Sequence, residues 1–167
     1  MRRRTKAPKP QLTLATGEHL LAWTEAVDGR VLAGTHDAVH ILGGDVDVRI
    51  PWEQVEAAQW QGATRTFRIS EVGSWGRERA AYELELADPA RLPELVRERV
   101  TASIVLQRHV ELPGGRTVRV IARRAPRGEA EIFWVYEYDE GVDPRDPAVV
   151  AAAEEALEQA RHDVGLD

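Results

Sequence analysis

The side chains with most chemistry to offer sit in a few short stretches. "THDAVH", residues 35–40, places His36, Asp37 and His40 together. Two histidines four positions apart share a metal only where a helix brings both rings to one face. Valines and an isoleucine surround them in a hairpin pattern, so the stretch reads as a solvated turn and no metal is expected. "DEGVDPRD", residues 139–146, gathers Asp139, Glu140, Asp143 and Asp146. It lacks the alternate acids, central glycine and closing glutamate of a calcium loop, which leaves helix capping and a solvated acidic loop as its reading. Ser103 and His109 could be nucleophile and base, but neither lies in a "GxSxG" elbow, and "GSWG" at residues 73–76 is not one either. No "GxxxxGK[ST]" and no post-strand "GxGxxG" is present to cradle phosphate. The expectation is a non-enzymatic protein with no cofactor; an enzyme with a widely dispersed site is the third-ranked reading.

Two features suit a partner. Trp75 stands in a hairpin loop with Arg77 and Arg79 close behind, a ring beside guanidinium groups that fits a protein surface, a nucleobase or an anion. The alternative is a ring folded back on its own sheet. The second feature is the set Arg108, Arg116, Arg119, Arg123, Arg124 and Arg127, with Trp134 and Tyr136 on the next strand. Arginines interleaved with aromatics can hold a nucleic-acid backbone and stack bases. Pairing of the same arginines with the acidic end of the chain is the plainer alternative.

Charge is unevenly spread. Arg2, Arg3, Arg4, Lys6 and Lys9 fall within residues 1–10 with no acid among them, so the rest of the chain holds −11 of an overall −6. Residues 137–167 carry ten acids against Arg145 and Arg161. A basic arm on an acidic body either seeks an anionic partner, nucleic acid above all, or is simply a solvated terminus. Lysine occurs only in that arm, a bias matching the codon usage of a GC-rich bacterial genome.

The elements that must position these residues follow from periodicity. With 167 residues, 43% apolar and 30% charged, the chain suffices for one compact body, and the absence of cysteine excludes disulfides and thiolate chemistry. No apolar stretch follows the opening arginines early enough for a signal peptide, so a cytoplasmic protein without integral membrane contact is expected, free to form an oligomer. Residues 1–13 read as a flexible basic arm. "HLLAWTEAV", "RVLAGT", "AVHILGG", "VDVRI", "TRTFRIS" and "AYELELA" read as strands. "PWEQVEAAQW" admits a helix or a strand. "ADPARLPELVRERV" shifts to a helical period, with Leu92, Leu95, Val96 and Val100 on one face and Pro89 or Pro93 at its start. Beyond it, "TASIVLQRHVEL", "RTVRVIARR" and "EIFWVYEY" form an antiparallel meander, and a final helix starts at Asp146–Pro147 with an apolar stripe. The fold class expected is α+β, dominated by antiparallel sheet.

About six short hairpin-linked strands, "GRVLAGTHDAVHIL", "IPWEQV" and a closing "LPELVRERV" together resemble a bacterial pleckstrin-homology-like, or GRAM-like, domain over residues 17–101. The resemblance implies a partly open barrel plugged by the helix, with Trp52 and Trp60 as packing rings, and a binding or scaffolding role. Only "VDGR" joins the first two strands, so the basic loop behind lipid binding in that family has no counterpart here. Residues 102–165, the meander and helix, are expected to pack on this unit. The leading expectation is an interaction module with a protein partner; the alternative is a nucleic-acid- or ribosome-associated accessory protein using the basic arm.

Overall fold

Period-two alternation bounded by turn residues sets most of the architecture. The computed structural model describes residues 7–73 and 79–166. These divide into two compact units, one running up to Ala102 with Ala125–Gly128 added, the other formed by Ser103–Arg124 and the chain from Glu129 onward. Among the described residues all strand pairs are antiparallel, and none of the three sheets closes into a barrel. The α+β class expected from the sequence is the class observed.

In the first unit β1 (Leu20–Glu25), β2 (Val31–Thr35), β3 (Ala38–Leu42) and β4 (Val48–Pro51) form one sheet in chain order. The hairpin between β1 and β2 turns at Asp28–Gly29, where Gly29 takes φ +88° and Asp28 Oδ1 accepts the Arg30 N–H at 3.0 Å. Proline ends β4 on the sheet's outer edge, where its missing N–H breaks no ladder bond. A single 3₁₀ turn, Trp52–Gln54, then leads into β5 (Val55–Gln61), β6 (Thr66–Glu71) and β7 (Ala81–Glu85), a second sheet in chain order. The unit thus has seven strands rather than about six. The ambiguous "PWEQVEAAQW" resolves into that turn and a strand, because Val55, Ala58 and Trp60 pair across to β6.

Helix α1 (Leu92–Ser103) starts with Pro93 in its first turn and lays Leu92, Leu95 and Val96 on the core formed by both sheets. Leu92 and Val96 are fully buried, and each such side chain contributes about 1.5–3 kcal/mol. The approach of α1 depends on Gly34 in β2, since a Cβ there would stand 2.6 Å from Leu95 Cδ2 and 3.5 Å from Leu92 Cδ2. Under the helix lies Trp52, fully buried, its indole N–H donating to the Thr35 carbonyl at 3.1 Å.

The second unit is a meander, β8 (Ile104–Leu112), β9 (Arg116–Arg123) and β10 (Phe133–Tyr138), with β9 central. Helix α2 (Pro147–Asp163) packs on β8 and β9 and buries Val149, Ala153, Ala156 and Ala160. Asp146 caps it, its carboxylate accepting the Ala148 N–H at 2.9 Å. No helix among the described residues is long and apolar enough to cross a membrane.

Two stability outcomes follow. Gly34→Val should lower unfolding free energy by about 1–3 kcal/mol as the branched side chain lifts α1 from β2; an unchanged urea midpoint would show that α1 tolerates displacement. Asp146→Ala should cost about 1 kcal/mol, read as a lower midpoint of helical circular dichroism loss, and no change would mean the cap is redundant.

Candidate functional site

Among the described residues strand β5 lies at one end of its sheet and pairs with β6 alone. Alternation along it leaves Ala57, Gln59 and Gln61 exposed and turns Ala58 and Trp60 inward at half-burial. Helix α1 runs on the other side, and between the two elements is a groove of about 520 Å³. Its floor is apolar, made by Ala58, Trp60, Val96 and Val100, while Glu56, Glu94 and Arg97 stand among the lining polar groups. Glu56 pairs with Arg79, and Glu94 approaches Arg91 Nε at 3.9 Å. Arg97 is exposed and makes no ion pair among the described residues. A strand edge with unshared N–H and C=O groups beside an apolar channel can accept an extended chain by main-chain pairing.

Trp52 is a packing ring, as the resemblance implied. Trp60 contacts the core by one face and lines the groove by another. The resemblance implied a packing ring alone; that Trp60 also lines a groove depends on which sheet edge stays open, which a local pattern does not reveal.

The other sequence candidates are dispersed. Trp75 and Arg77, like Arg2, Arg3, Arg4 and Lys6, lie outside the described residues; Lys9 is exposed. Close to that arm, the Trp23 indole N–H donates to the Ala7 carbonyl at 2.9 Å, so residue 7 is already tied to β1. Arg79 sits at the groove through Glu56. Arg119 pairs with Glu137 directly across from it on β10. Arg108 reaches Asp163 and Gln159 on α2, and Arg116 donates to the Gly141 carbonyl. The acidic terminal segment therefore takes up Arg108 and Arg119, as charge balance implied. Arg123 is 2% exposed, with Nη1 3.5 Å from Ser103 Oγ, so it is not presented on the outer sheet face as its alternation with Val120 and Ala122 had indicated. Both faces of β9 are buried from Val120 to Arg123, which ends the alternation there.

"THDAVH" also separates. His36 packs its ring edge-on to His19, with centroids 5.8 Å apart. Asp37 accepts two hydrogen bonds from Arg127, from Nε and Nη2, each 2.6 Å. His40 belongs to β3 and is 4% exposed rather than part of a solvated turn. Among the described residues no three acidic or histidine side chains converge to hold a metal.

His40 instead borders a buried polar cluster. Its Nε2 is 3.7 Å from Glu18 Oε1, and Glu18 is itself buried. The Thr35 hydroxyl donates to Glu18 Oε1 at 2.5 Å and accepts the Ala38 N–H at 3.0 Å, while the Ala15 N–H donates to Glu18 Oε2 at 3.0 Å. Burial alone would raise the Glu18 carboxyl, but the hydrogen bonds from Thr35 and Ala15, with Arg49 nearby, together hold it below its ordinary value of 4.5. Burial pushes His40 below its ordinary 6.5 and outweighs the attraction of Glu18.

The chain matches no protein-family model, no curated protein and no solved structure.

The depressed His40 fixes the sign of an acid response. The unfolded chain takes up a proton near 6.5, whereas the folded chain binds it only at lower pH. Stability contributed by keeping this ring neutral is thus full above that value and is lost as pH falls through and below it. Urea midpoints measured from pH 8 to pH 5 should decline below about pH 6.5, and His40→Gln should flatten that limb. An identical slope in the variant would assign the decline to other groups.

Proposed function

We propose that the protein is a non-enzymatic interaction module that binds an extended segment of a protein partner along the open edge of β5, against α1. One observation carries this reading: an unpaired strand edge and an apolar helix face line the same groove, with a half-buried tryptophan between them. Backbone pairing supplies affinity that is blind to sequence, and alternate side chains of the incoming strand fall toward Ala58, Trp60, Val96 and Val100. Arg97, without an ion-pair partner among the described residues, favours a segment with an acidic side chain beside its apolar ones. The order of four strands, three strands and a helix supports the resemblance to a pleckstrin-homology-like domain and with it a scaffolding role. A cytoplasmic setting is part of this reading, supported by a chain without cysteine.

Arginines engaged by Glu137, Asp163 and Gly141 have less to offer a nucleic-acid backbone. That leaves the basic arm as the route for the alternative function.

The test is selection of peptides of about twelve residues from a random display library on the full chain. Selected sequences should alternate apolar residues and include an acid. Val100→Glu should weaken their binding at least about tenfold, or 1.4 kcal/mol, and Arg97→Glu by a smaller factor. Selected peptides bound equally by both variants would refute the groove. Failure to select any peptide, with RNA binding that falls steeply with salt and disappears on removing residues 1–10, would favour the arm instead.

A further inference from the structure

A second concavity of the first unit lies away from β5. It measures about 360 Å³ and is lined by Asp37, Arg49, Pro51 and Glu53, with Pro126 and Arg127 among the residues facing them. That volume is at the small end of ligand pockets, about 300–1,000 Å³. Four of these side chains are charged, yet two of them satisfy each other. Asp37 and Arg127 form a two-pronged pair, with both bonds at 2.6 Å, in which Arg127 keeps Asp37 below its ordinary 3.8.

The remaining two have unspent capacity. Glu53 is half-buried and makes no hydrogen bond or ion pair among the described residues; only its Oε2 is shut away from solvent, which leaves Oε1 as the oxygen open to a donor. Among the described residues Arg49 comes no nearer to an anion than 3.9 Å, where its Nη2 faces Glu18 Oε1, and its side chain is 45% exposed. Glu18 is fixed by Thr35 and Ala15, so it holds Arg49 from behind without using up the guanidinium's donors. One open cation and one orphaned anion therefore share a cleft whose other walls include Pro51, Ala125 and Pro126, apolar and stiff.

We infer that this cleft binds a small zwitterion of the amino-acid class, its ammonium on Glu53, its carboxylate on Arg49 and its side chain against Pro51 and Pro126. Either charge alone meets an opposing like charge in the cleft. A molecule with both matches the two open groups at once, which is the basis of selectivity over simple anions and simple amines. The site is independent of the β5 groove and takes none of its residues.

The experiment uses the full chain and the twenty standard amino acids, each up to about 10 mM, a range suited to a small ligand with two charged contacts. Acetate, methylammonium and inorganic phosphate serve as single-charge controls. At least one amino acid should raise Tm saturably and shift the backbone amide resonances of Arg49, Glu53 and Arg127. Arg49→Gln and Glu53→Gln should each weaken that binding at least about tenfold, with Arg49→Lys weakening it less, and Val100→Glu in the groove should leave it unchanged. Glu53 makes no hydrogen bond or ion pair among the described residues, so Glu53→Gln breaks none and tests the site even where the Arg49 variants are destabilised. The inference is overturned if no amino acid binds, if a single-charge control reproduces the shifts, or if binding survives Glu53→Gln.

Discussion

The first unit depends on one fully buried indole. Trp52 sits where the chain leaves the four-stranded sheet and starts the three-stranded one. Its side chain is buried in the core that both sheets share, while its ring N–H goes to the Thr35 carbonyl and its backbone N–H to the Asp37 carbonyl at 3.2 Å. The ring thus ties the β2–β3 turn to the sheet switch. A buried tryptophan whose donor is met contributes its whole apolar area with no unsatisfied group to offset it.

Two open sheets leave a mouth that only an apolar helix can cover, and Gly34 lets α1 come close enough to cover it. The consequence is a groove rather than a sealed wall. The helix lies over the core by its Leu92–Leu95–Val96 face, and its next apolar positions, Val96 and Val100, border the free edge of β5. The opposite end of that sheet is occupied: the Val27 N–H donates to the Glu85 carbonyl and Arg30 Nη2 to the Glu83 carbonyl. Contacts from the first hairpin therefore reach β7 but not β5, which is why one edge of the sheet and not the other is available.

Most of the fold was legible because most of its signals are local. "AYELELA" and "TRTFRIS" alternate over one strand each, "DG" marks a hairpin, and Asp146–Pro147 marks a helix start; none needs a distant residue to be interpreted. The sites were less legible because each depends on non-local pairing. Nothing local distinguishes β5 as an edge strand, and nothing in "THDAVH" announces that His40 is buried beside Glu18, seventeen residues before Thr35, or that Asp37 is claimed by Arg127 from ninety positions away. The arginine set looked like a surface because alternation was extended through Arg123. Burial of both faces of β9 at its end reflects what packs on the strand, which a one-strand pattern does not encode.

"RIPWEQVEAAQW" concentrates these effects in twelve residues. Arg49, Pro51 and Glu53 line the cleft, Trp52 and Val55 enter the core, and Glu56, Ala58 and Trp60 line the groove. Each concavity draws one wall from this stretch, which is anchored at its centre by the fully buried Trp52. Side chains on either side of Trp52 are therefore presented in fixed geometry, and fixed geometry lowers the ordering cost of binding. Two scarce large rings in one short stretch are thereby explained. Trp52 makes the segment rigid, and Trp60 gives the rigid segment a surface to offer.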